Sequence, residues 1–138
     1  MTEDDRRISY PFFFSSEDGE FSPLLTFDSP ILNREHRARV LLPPGYHENT
    51  MSCYPVIFFQ DGQNLFFPEE AFEGHDWGVD ATNLLLRSMC AVEDIILVGL
   101  YSGAERRMEE FTKPGYERYA RSLVQEVVPK VNRRLRVL

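Results

Sequence analysis

Chemistry needs side chains that can move a proton, attack a carbon or hold a metal. The chain offers three histidines, His36, His47 and His75, and two cysteines, Cys53 and Cys90. Imidazole titrates near neutrality, so each histidine is a candidate base or metal ligand. His75 stands beside Asp76, a pairing that suits a metal, but two adjacent ligands without a third make a poor site. No metal is therefore expected. The cysteines are too few for a disulfide framework and lack metal-ligand spacing. They read as reduced thiols of a cytoplasmic protein. His36 sits at a strand start, His47 in a polar turn and His75 in a loop, so all three read as surface or loop residues.

These residues must be positioned by elements. The 138 residues carry 15 Lys and Arg against 22 Asp and Glu, a net charge of −7. Hydrophobic residues make up 43%, enough for one domain with a real core. An acidic chain lacks the basic face of a nucleic-acid binder. No apolar run approaches the ~20 residues of a membrane span, and no secretory h-region follows the polar start Met1 to Arg7. Residues 1–33 read as an N-terminal extension with short strands at Phe12-Phe13-Phe14 and Leu24 to Phe27. From His36, Ala38, Val40 and Leu42 alternate with Arg37, Arg39 and Leu41, the period of a half-exposed strand. Pro43-Pro44-Gly45 ends it. Val56 to Phe59 and Ile95 to Leu100 are short unbroken runs of the kind buried on both faces of a parallel sheet. Asp80 to Met89 reads as a helix with Ala81, Leu84, Leu85 and Met89 on one face. Tyr116 to Leu135 reads as a long amphipathic helix, kinked by Pro129. The order predicts an α/β domain over 34–138, with a mostly parallel sheet and flanking helices.

Several segments occur together and in order. They are Arg39-Val40-Leu41-Leu42-Pro43-Pro44-Gly45-Tyr46, Tyr54 through Asp61-Gly62-Gln63-Asn64-Leu65-Phe66, and Trp77-Gly78-Val79-Asp80. They continue with Ile96 to Leu100, Arg106-Arg107, Glu110-Phe111-Thr112, Tyr119-Ala120 and Glu126 to Pro129. In these the chain resembles the putative-esterase family of α/β-hydrolases, which includes enterochelin-type esterases, feruloyl esterases and S-formylglutathione hydrolases. The resemblance covers roughly three-quarters of the chain, from Arg37 onward.

It implies a serine carboxylic-ester hydrolase acting on an ester substrate, with no cofactor. In the family a Gly-x-Ser-x-Gly elbow supplies the nucleophile, followed in chain order by an acid and a His. No such motif occurs here. Gly99-Leu100-Tyr101-Ser102-Gly103 comes nearest with the wrong spacing, and Ser102 reads as a loop residue. The histidines all precede the place where the nucleophile would come. Asp61 and Asp80 read as a turn former and a helix N-terminal residue. No catalytic residue is therefore assigned. The sequence reads as a partial, truncated α/β-hydrolase fold, lacking the nucleophile strand and every later element, and inactive alone. The resemblance does imply an oxyanion-hole donor, the N–H of Gln63, with Gly62 permitting close approach, and a pocket wall at Trp77. Such a partial sheet is expected to self-associate or to need a complementing polypeptide. The other reading is a non-catalytic α/β module that binds a ligand or partner.

Overall fold

A computed structural model describes residues 19–138. The expected strand at Phe12–Phe14 lies outside the described residues. Five strands form one sheet: β1 (Glu20–Phe21), β2 (Leu25–Ser29), β3 (Arg34–Leu42), β4 (Val56–Phe59) and β5 (Ile96–Leu100). β3 pairs with β1 and β2 on one side and with β5 on the other, and β4 lies beyond β5. The sheet is mixed. The β1–β3, β2–β3 and β3–β5 ladders are antiparallel, and only β4–β5 is parallel. A short turn joins β2 to β3 as an antiparallel hairpin, whereas β4 and β5 are joined through a helix, as a parallel pair requires.

β3 differs from the half-exposed strand its alternation suggests. From Ala38 to Leu42 every residue is buried, because both sheet faces are covered there. Val40 joins Phe27, Val98, Val127 and Val131 in a core on one face, and Leu41 joins Phe21, Leu65, Phe66 and Leu97 on the other. Arg39 is buried as well, with its charge met by Glu70. His36, expected at the surface, is 1% exposed. It is an internal β3 residue opposite Phe27, and the later helix covers it. Pro43 and Pro44 end β3 as expected, and Gly45 turns the chain at φ 77°.

β5 is buried throughout. β4 is not: Ile57 is 42% exposed. The expectation of burial on both faces fails because β4 is an edge. Among the described residues its outer side meets only a parallel bridge between Tyr54 and Val137, where the N–H groups of Tyr54 and Leu138 donate to Arg136 and Tyr54 carbonyls, each at 2.9 Å.

Helix α1 (Val79–Ser88) contains no buried residue, so its Leu84 and Leu85, with Met89 just beyond, stay exposed. A short α2 (Arg107–Phe111) leads to a long helix made of α3 (Tyr116–Ser122), a π segment (Leu123–Val127) and α4 (Val128–Arg134). The residues buried along it are Tyr119, Ser122, Val127 and Val131. The step from 122 to 127 is one residue wider than a regular turn. The π segment, just ahead of Pro129, absorbs the extra residue and keeps both halves facing the sheet. Val124 is thereby turned outward to 69% exposure.

Candidate functional site

β4 ends at Phe59, and the chain turns back as Gln60-Asp61 into a single 3-10 turn, Gly62–Asn64. Asp61 occupies the left-handed region at φ 51°, ψ 48°. That is uncommon for a residue with a side chain, though aspartate tolerates it better than most. The turn lies against the end of β5. A Cβ on Gly62 would sit 2.3 Å from Gly99 C and 2.7 Å from Leu100 N. Backbone packing against backbone therefore demands glycine at 62, a reason separate from any approach of a substrate.

Three clamps from elements beyond β5 hold this turn. The Arg107 guanidinium, from α2, donates to both Asp61 carboxylate oxygens at 2.9 and 2.7 Å. This bidentate bond holds the Asp61 carboxyl below the usual carboxylate range; burial opposes the shift and the Arg107 charge adds to it. The Gln63 side chain donates from Nε2 to Ser102 Oγ and accepts the Ser102 N–H at Oε1, both at 3.1 Å. From α3, the Tyr119 hydroxyl donates to Gln60 Oε1. Burial pushes the Tyr119 hydroxyl up to about 12, so it remains a donor at neutral pH.

With its side chain committed to Ser102, Gln63 keeps its main-chain N–H free. No acceptor bonds that N–H among the described residues, while the next two amides, Asn64 and Leu65, close the turn onto Asp61 and Gly62 carbonyls. Asn64 anchors the following loop: its carbonyl accepts the Trp77 N–H at 2.7 Å, and its Oδ1 accepts the Phe72 N–H at 2.8 Å. The Trp77 backbone is thus tied to the turn, and its side chain is 57% exposed, so it does not belong to the core. Beside Ser102, the Tyr101 hydroxyl and Arg39 both bond the Glu70 carboxylate. Burial, then the bond to Glu70, raises Tyr101 to about 12.

The structure therefore brings Gly62, Gln63 and the Trp77 backbone together, while His36 is buried on β3 against Ser122. His47 lies 2.9 Å from Glu20, and His75 is in the loop before α1. Asp80 lies in the first turn of α1. Ser102 follows β5 as expected, yet it is buried and serves as the partner of Gln63. Arg107, Ser102 and Tyr119 are the supporting residues that spacing could not assign, since each meets a partner 39 to 59 positions away. Chemically, the turn offers one rigid, unsatisfied N–H donor at the end of an edge strand.

Known proteins share this fold. No curated protein sequence matches the chain. Among solved structures it is similar to an IroE-like serine hydrolase from Shewanella oneidensis (TM-score 0.63, 19% identity), covering 83% of this chain and 39% of that one. It is similar to a ferulic acid esterase (TM-score 0.62, 25% identity), covering 83% and 44%. A further similarity is to a CE1 ferulic acid esterase from Anaeromyces mucronatus (TM-score 0.58, 21% identity), covering 84% and 43%. The chain thus spans under half the length of these relatives, and the fold it shares with them is a partial α/β-hydrolase fold. The profile of the family described as Putative esterase matches residues 29–138, and the chain belongs to that family.

Proposed function

We propose that these residues are the N-terminal part of a serine carboxylic-ester hydrolase and that the Gln63 N–H is one donor of its oxyanion hole. The observation that carries this reading is the free Gln63 amide on a turn clamped by Arg107, Ser102 and Tyr119. Ester cleavage places negative charge on the carbonyl oxygen, and a donor already fixed in space stabilises that charge without reorganising. Gly62 allows the turn its position, and Trp77 forms a wall of the ester pocket. The nucleophile, its histidine and its acid come from elements that pair beyond β4, so residues 1–138 alone do not turn over esters. Exposed, unpaired Cys53 and Cys90 suit the cytoplasm. No helix among the described residues is long and apolar enough to cross a membrane. We assign residues 34–138 to the hydrolase portion and 1–33 to an N-terminal extension, of which β1 and β2 join its sheet.

The test is a pair of variants in the protein completed by its nucleophile strand. Gln63→Ala and Gln63→Pro both lose the bonds to Ser102, but only proline deletes the N–H. With folding verified by circular dichroism, the proline variant should fall about 10²–10³ below the alanine variant in turnover of a p-nitrophenyl ester. Equal turnover of the two removes Gln63 from the hole.

A further inference from the structure

A second site lies away from the Gln63 turn. Between the β2–β3 hairpin and the end of α4 the structure holds a cavity of about 420 Å³, within the range of small-molecule sites. Its floor is apolar, formed by Leu25, Phe27, Val40, Leu42, Val98 and Val131. It shares no residue with the Gln60–Asn64 turn, Trp77, Ser102 or Arg107, so what it binds does not depend on the ester reading.

The charge around it is one-sided. Lys130, Arg133, Arg134 and Arg136 line it, and among the described residues no Asp or Glu does. Lys130 Nζ donates to the Asp28 carbonyl at 3.1 Å, and Arg136 donates to the Ser52 carbonyl at 3.0 Å and to that of Tyr46. These acceptors are neutral, so they orient the two cations without cancelling their charge. Arg133 is exposed on the last turn of α4. The helix dipole favours cations at that turn, but it does not account for Arg136, which lies beyond the helix. His47 also lines the cavity but lies against Glu20, so the Lys and Arg side chains set the charge of the rim.

We propose that this cavity binds a straight-chain carboxylate, with its tail against the Val40–Val98–Val131 floor and its headgroup at the Lys130–Arg133–Arg136 rim. The apolar floor removes the tail from water. A rim whose described charged side chains are cations selects an anionic head over a cationic one.

A decanoate bearing a diazirine in its tail, photolysed with the whole chain and mapped by peptide mass spectrometry, tests this. Label should fall on peptides containing residues 25–27, 38–42 and 130–136. Excess decanoate should remove it, and decyltrimethylammonium, the same tail with the opposite charge, should not. Arg133→Glu, an exposed change whose folding circular dichroism checks, should lower the competable label about fivefold at limiting probe. Equal competition by the cation, label centred on Ile57 and α1, indifference to Arg133→Glu, or no competable label at all would each overturn the proposal.

Discussion

One hydroxyl hydrogen fixes the state of His36. Ser122 Oγ donates to the Tyr119 carbonyl at 2.7 Å, which uses its only hydrogen. At the 3.3 Å contact with Ser122 Oγ, His36 Nε2 must therefore carry the proton and donate. Burial, reinforced by the Arg34 charge, lowers the His36 pKa to about 4, so the ring is neutral at pH 7. Unfolded, it would titrate near 6.5. The unfolded chain thus binds the proton first, and this contribution to stability is full above pH ~6.5 and is lost as pH falls toward about 4. Urea unfolding at pH 7.5 and 5.5 should show the parent losing more stability between the two than His36→Gln. Equal losses would mean that the ring is not buried in its neutral form. Gln63 belongs to the same scale. Its side chain satisfies the N–H of the buried Ser102, so Gln63→Ala should cost about 1–3 kcal/mol in urea unfolding. A cost near zero would show that the Ser102 latch is absent in solution.

Among the elements, the long helix shows what was legible in the sequence and what was not. The spacing of Tyr119, Val127 and Val131 announces an apolar face, and Pro129 announces a disturbance. The wide turn does not announce itself, because periodicity shows only that a residue is out of step, not how the backbone absorbs it. β3 was legible as a strand from its alternation and β5 from its apolar run. The exposure of Ile57 was not, since whether a strand is internal or an edge depends on neighbours outside the run itself. The Gly62–Gln63 turn was legible through family resemblance, whereas its clamps come from residues far along the chain. The π segment makes a definite prediction. Deleting Gln125 leaves Tyr119, Ser122, Val127 and Val131 on one face and should be tolerated. Inserting one alanine after Gln125 rotates Val127 and Val131 off the sheet and should cost ~3 kcal/mol or more, the burial of two valines. Thermal unfolding compares the two. If deletion costs as much as insertion, the wide turn has a role other than alignment.

For the whole molecule the open side of β4 dominates. Among the described residues the outer N–H and C=O groups of β4, beside an exposed Ile57, have no strand partner and form a template for one, and α1 with the residue after it adds the exposed Leu84, Leu85 and Met89. The net charge of −7 opposes association without satisfying the edge. Sedimentation at micromolar concentration should show residues 1–138 associating, and Ile57→Lys should shift them toward monomer. A monomeric parent would mean that the edge is covered.

On the proposed reading, residues 1–138 hold an oxyanion donor and not the nucleophile. Labelling with a fluorophosphonate, which reacts with an activated serine, separates the two cases. It is applied to residues 1–138 and to the protein extended through the coding sequence downstream. No adduct is expected on residues 1–138, and a single adduct in the extended protein, on the serine of a Gly-x-Ser-x-Gly elbow. An adduct on Ser102 or any other serine of these 138 residues, or an extended protein that takes no label, would contradict that reading.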